Sequence, residues 1–124
     1  MDDPRGFVAA WLRALEMLDL ETFASGFAED ATAFVPFSDT PQRLFGRPAI
    51  RARFARYIED IRAGTIPAPR FTLDDLVIQG EGDLRLATFT YAIAAGQIRR
   101  RTLALRRDGD AWRVLHLHGS NAAE

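Results

Sequence analysis

The second half of the chain is a succession of extended runs with almost nothing between them, and no other feature restricts the fold as much. The runs "RFTLDDLVIQ", "LRLATFTYAIA", "QIRRRTLALRR" and "AWRVLHLHG" are separated only by "GEGD", "AG" and "DGD". Gaps this short cannot hold a crossover, so neighbouring runs must pair antiparallel as hairpins. A meander of this length has an apolar face to cover, and only the first half of the chain can cover it.

That first half reads as helix. Asp3 followed by Pro4 is an N-cap with proline at the first helical position. The segment "PRGFVAAWLRALEML" places Phe7, Trp11, Leu15 and Leu18 on one stripe at helical spacing. A short second helix, "LETFASGFA", follows Asp19 and buries Leu20, Phe23 and Phe27. The period then changes, and "DATAFVPF" reads as a strand ended by Pro36. "SDTPQRLFG" reads as loop. Pro48 opens a third helix, "PAIRARFARYIEDIRAG", with Ile50, Phe54, Tyr57, Ile58 and Ile61 inward and Gly64 as its C-cap. Helices followed by a meander give an α+β class, with three N-terminal helices packed against a mostly antiparallel sheet in one domain, residues 1–124.

A chain of 124 residues can bury about two-thirds of the surface its unfolded form exposes. The absence of cysteine excludes disulfides, thiolate metal sites and a cysteine nucleophile. No apolar run approaches a membrane span, and "MDDPRGF" lacks the basic-then-apolar order of a signal peptide. A cytoplasmic location and no membrane partner are therefore expected. Net charge is −1 and no recognition motif appears, so no nucleic-acid partner is expected.

The strand "WRVLHLHGS" holds the only two histidines, His116 and His118. Residues two apart on a strand face the same way, roughly 6.5–7 Å apart. That spacing suits two ligands of one metal, but a catalytic metal needs a third. No third histidine exists, and nothing in the sequence brings Asp30 or Asp39 to this strand. No metal and no cofactor are expected. The other chemical reading makes His116 or His118 a general base, since imidazole alone here titrates near neutrality when unperturbed.

Three motifs in order, "FAEDATAFVPF" at 27–37, "GRPAIRARF" at 46–54 and "LRRDGDAWRVLHLHGS" at 105–120, resemble the nuclear-transport-factor-2-like, or SnoaL-like, superfamily. The resemblance implies a curved sheet wrapped around the helices into a cone with an internal pocket. Members include isomerases, cyclases, dehydratases, hydrolases and non-catalytic association domains, so the site must decide the function. Against ketosteroid isomerase, the "FAEDATAFVPF" match puts the base at Val35, the oxyanion tyrosine at Trp11 and the second acid near Leu103 or Leu105. None of these side chains can take those roles, although an indole N–H can still donate one hydrogen bond.

The resemblance also sets the faces of the last strand. The pocket-facing set corresponds to Leu115, Leu117 and Gly119, with His116 and His118 turned outward unless a bulge reverses the parity. Helix stripe and strand parity then give a lining of Trp11, Leu15, Val35, Phe37, Phe54, Tyr57, Ile58, Thr88, Thr90, Leu103, Leu115 and Leu117. Arg113 shares the parity of Leu115 and is placed at the mouth, where it could hold a carboxylate. The expected partner is a small apolar molecule, polyketide-like or steroid-like, handled by an isomerase, cyclase, dehydratase or hydrolase with a non-standard catalytic set. The alternative is a non-catalytic dimeric association module. An outer sheet face carrying Phe89, Tyr91, Trp112, Val114, His116 and His118 is expected to form a homodimer.

Overall fold

Each helix is bounded by the residues that mark its ends in the sequence. The Asp3 carboxylate accepts the Arg5 amide hydrogen at 3.0 Å and Asp19 accepts that of Thr22 at 3.2 Å, so both begin helices as side-chain caps. The computed structural model describes residues 3–92 and 96–121. The elements are α1 (Pro4–Glu16), α2 (Leu20–Ser25), β1 (Phe27–Phe34), β2 (Leu44–Phe45), α3 (Arg47–Arg62), β3 (Val77–Gln79), β4 (Leu84–Ala92), β5 (Ile98–Asp108) and β6 (Ala111–Asn121). α3 ends in a Schellman turn: Gly64 adopts φ +76°, the Thr65 amide donates to Asp60 O, and the Gly64 amide donates to Ile61 O.

One mixed six-stranded sheet has the order β2-β1-β6-β5-β4-β3. The meander β3 to β6 is antiparallel throughout, and β1 joins β6 in parallel. The sheet curves around the helices without closing, which is the α+β cone. The "AG" gap expected at 95–96 lies partly outside the described residues.

Three boundaries differ from the expectation. The second helix stops at Ser25 and β1 starts at Phe27. Gly26 lies between them, where an added Cβ would come within 2.4 Å of Trp11 Cδ1. "SDTPQRLFG" contains a two-residue strand, Leu44–Phe45, that pairs with Thr32 and Ala33. Of "RFTLDDLVIQ" only Val77–Gln79 is strand. The rest is loop tied to α1, with Arg5 Nη2 donating to Leu76 O at 2.7 Å and the Phe71 amide to Glu16 at 2.6 Å.

The decisive detail is a bulge in β6. Ala104 pairs with His116 but Leu105 pairs with Val114, so Leu115 is an extra residue and the parity of the strand changes there. Before the bulge, Trp112 and Val114 point into the core; after it, Leu117 and Gly119 do. The core itself is dominated by rings. Trp11 stacks on Phe23 with centroids 4.6 Å apart, and Phe27 and Phe54 close around Phe23 at 5.5 and 4.8 Å.

Candidate functional site

The concave side of the sheet and the three helices leave a chamber of about 40 Å³ deep in the cone. It opens past Tyr57, Tyr91 and Arg101 into a vestibule of about 220 Å³. Apolar and aromatic walls surround the chamber, among them Trp11, Leu15, Phe23, Phe54, Phe89 and Leu117. The vestibule adds Ile66, Pro67, Pro69 and Arg99. Two loops frame the mouth. In one, Phe71 packs edge-on against Tyr91 at 4.6 Å. In the other, the Arg53 guanidinium lies 3.9 Å over the Phe37 ring while donating to Thr40 Oγ1 at 3.0 Å and Asp39 at 3.2 Å.

Among the described residues, the polar groups that reach this space are two phenols and two guanidinium groups. Burial pushes the Tyr57 phenol up to about 12, and burial also raises that of Tyr91. Both are therefore protonated donors at neutral pH. Arg101 donates to the Tyr91 hydroxyl at 2.6 Å and lies over its ring, 5.0 Å from the centroid. Burial lowers the pKa of Arg101, and nearby Arg99 pushes it the same way. A guanidinium stays charged through such a shift.

The structure brings part of the expected lining together. Trp11, Leu15, Phe37, Phe54, Tyr57 and Leu117 border the chamber. Val35, Ile58 and Leu103 are buried in the core around it. The Trp11 indole N–H donates to Phe23 O at 3.0 Å, so it is not directed at a ligand.

The remaining expectations are corrected. Thr88 and Thr90 lie on the opposite face of β4, where the Thr90 hydroxyl donates to Asp75 at 2.6 Å. Inward positions on that strand belong to Ala87, Phe89 and Tyr91, because the bulky rings and not the hydroxyls fill the cone. Leu115 is the bulged residue and packs at the edge of the core rather than on the chamber. Arg113 precedes the bulge, pairs with Arg106 on the outer face, and borders a charged groove with Glu29, Asp30 and Asp108. Phe89, Tyr91, Trp112 and Val114, expected on the outer face, are all buried on the inner one.

His116 and His118 face outward after the bulge. His116 Nδ1 is 2.7 Å from Thr32 Oγ1, and burial lowers its pKa, with Arg43 and His118 adding to the effect. Both imidazoles pack on Phe34 at 5.7 Å. Neither reaches the cavity as a base. Asp39 also stays outside it: Thr40 and Arg56 hydrogen bonds lower its carboxyl to about 2. Asp30 is held by Arg106 at 2.8 and 3.1 Å. Among the described residues no three His, Asp or Glu side chains gather to hold a metal, and no helix is long and apolar enough to cross a membrane.

Sequence reasoning missed Arg101, Phe89 and Tyr91. The signal was present: Arg101 shares the parity of Leu103 and Leu105, and "LATFTYA" alternates rings with threonines. Applying the apolar-inward rule to the rings would have turned β4 the right way.

A three-helix α+β cone of this kind is the NTF2-like fold. An NTF2-like protein of unknown function from Pseudomonas putida KT2440 superposes with a TM-score of 0.80 at 24% identity, over 97% of this chain and 84% of the other. A candidate dehydratase of the NTF2-like family from Streptomyces avermitilis gives 0.78 at 22%, over 95% and 92%. A candidate calcium/calmodulin-dependent protein kinase type II association domain from Thiobacillus denitrificans ATCC 25259 gives 0.78 at 20%, over 99% and 98%. At these identities the likeness carries the fold alone. No curated protein matches the sequence. The family model for the SnoaL-like domain matches residues 5–124, and the chain belongs to that family.

Proposed function

We propose that this SnoaL-like domain binds a small, mostly apolar ligand at the mouth of its cone. The observation that carries the reading is the vestibule of about 220 Å³, walled by Pro36, Phe37, Ile66 and Pro67 and floored by Tyr57, Tyr91 and Arg101. Apolar walls with a few convergent donors are how small-molecule sites are built. Chamber and vestibule, about 40 and 220 Å³, are each smaller than the roughly 300 Å³ at which drug-sized sites begin. That favours a single-ring or short branched ligand over a steroid. Among the described residues the ionisable side chains of the lining are Tyr57, Tyr91, Arg99 and Arg101, with no carboxylate or imidazole beside them. Isomerisation through a carboxylate base of the ketosteroid isomerase kind is not supported. Titration with methyl benzoate, a neutral one-ring probe, is expected to saturate at one equivalent per chain. Phe37→Ala, which removes a wall shared by chamber and vestibule, should change the affinity several-fold. Failure to saturate at millimolar probe would contradict the reading.

We also infer a homodimer through the convex sheet face, which keeps His116 and His118 of the expected set and loses Phe89, Tyr91, Trp112 and Val114 to the core. Cross-strand rows run Phe45–Thr32–His116–Ala104–Leu86 and Phe34–His118–Thr102–Thr88–Val77. On these rows Phe45, Val77 and Leu86 are 71%, 48% and 40% exposed, apolar side chains that a partner surface could cover. A monomer by sedimentation at micromolar concentration would refute the dimer without touching the ligand site.

A further inference from the structure

We propose that Arg101 binds the carboxylate of the ligand, so that the molecule held in the cone is a small aromatic or branched aliphatic acid. This rests on the mouth being a ligand site and names the chemistry of what occupies it. Arg101 stands on the concave face of β5, with Phe89 as its register partner on one side and Gly119 on the other. At Gly119 an added Cβ would lie 3.1 Å from Arg101 Nη1 and 3.2 Å from Cζ. The same Cβ would lie 3.0 Å from Pro36 Cδ, so the guanidinium packs close over Gly119 and a larger residue there would crowd both it and Pro36.

Among the described residues the partners of Arg101 are neutral: the Tyr91 hydroxyl at 2.6 Å, Arg100 O at 2.8 Å and Ser120 O at 3.4 Å. Other arginines do have counter-ions. Arg53 and Arg56 share Asp39, and Arg106 is paired with Asp30 and Asp108. Among the described residues no carboxylate pairs with Arg101, the one charged group on the wall of the inner chamber. A cation taken out of water without an anion is costly, and the cost is offset when the anion arrives with a ligand. The guanidinium fork matches the two oxygens of a carboxylate.

Two hydroxyls complete the recognition. Tyr91 accepts from Arg101, which leaves its own proton free to donate. Tyr57 borders both chamber and vestibule and makes no hydrogen bond among the described residues. Its pKa of about 12 keeps it a donor at neutral pH. Arg99, at the outer lining, adds positive potential along the entry path. The inner chamber, about 40 Å³, is smaller than the roughly 150 Å³ cavity that takes benzene. The ring must therefore sit in the vestibule, with the carboxylate directed inward to Arg101.

The test compares benzoate with methyl benzoate, which keeps the ring and removes the charge. Calorimetric titration at pH 7 should show benzoate binding at least about tenfold more tightly, the scale of one charge-assisted hydrogen bond. In Arg101→Gln the acid-to-ester affinity ratio should fall toward one, and in Tyr57→Phe it should fall by several-fold. Should Arg101→Gln fail to fold, the ratio in the natural protein and in Tyr57→Phe decides. Equal binding of acid and ester by the natural protein overturns the proposal and leaves the apolar site standing. Binding of neither overturns both.

Discussion

The two ends of this cone are built from the same residue types and do opposite things. At the closed end Trp11, Phe23, Phe27 and Phe54 pack ring on ring, with centroids 4.6 to 6.3 Å apart. The one polar atom on those rings, the Trp11 indole N–H, is bound to Phe23 O. Toward the mouth Phe37, Tyr57, Phe71 and Tyr91 also meet as rings, yet they border open space and carry donors with neutral partners or none among the described residues. Aromatic side chains stabilise when their surface is covered and recognise when it is left open. The difference between the two ends lies in what completes the packing. Below it is the chain itself; above it, on the function proposed here, it is a ligand.

Substitutions at the two ends should therefore separate stability from binding. Phe23 is 1% exposed among three other rings, and Phe23→Ala should destabilise the fold by about 3–5 kcal/mol in denaturant unfolding. Val35, 7% exposed, tests the wall between the ends. Val35→Asp should lose about 1–3 kcal/mol by leaving a polar group buried and unpaired. A change within about 0.5 kcal/mol, the range of ordinary surface substitutions, would mean that Val35 faces solvent. At the mouth the sign should reverse. Arg101→Met removes a mostly buried cation without a counter-ion, so the melting temperature should hold or rise.

The smallest effect concerns the loop that carries Phe37. Asp39 is held to about 2, below its ordinary 3.8, by Thr40 and Arg56. A carboxyl depressed in the folded state contributes stability above about pH 4 and loses it as pH falls toward 2. Asp39→Asn should lower the melting temperature at pH 7, and the difference from the natural protein should shrink to a small fraction by pH 2. A difference as large at pH 2 as at pH 7 would show that the loop is not held by this charge.

Much of the fold was legible in the sequence because turns and caps are local. "DGD" and "GEGD" marked the hairpins, Asp3–Pro4 and Asp19 marked the helix starts, and Gly64 marked the end of α3. The site was only partly legible, because its faces depend on register. One extra residue, Leu115, puts Trp112 and His116 on opposite faces although both have the same parity. Nothing local announces that bulge; it appears only when β5 is paired with β6. The stretch 70–76 was misread as strand because its apolar residues pack against the helices and Tyr91 through ties to α1, which are distant in sequence.

The central claim is that the mouth of the cone, and not the convex sheet face, takes the ligand. Amide shift mapping of the labelled protein with methyl benzoate tests it most directly, since a neutral probe does not depend on the role of Arg101. The account expects shifts concentrated at Phe37, Tyr57, Phe71, Tyr91 and Leu117, with Phe34, His116 and His118 unmoved. Shifts centred on Phe34, His116 and His118, or none at a saturating probe concentration, would contradict it.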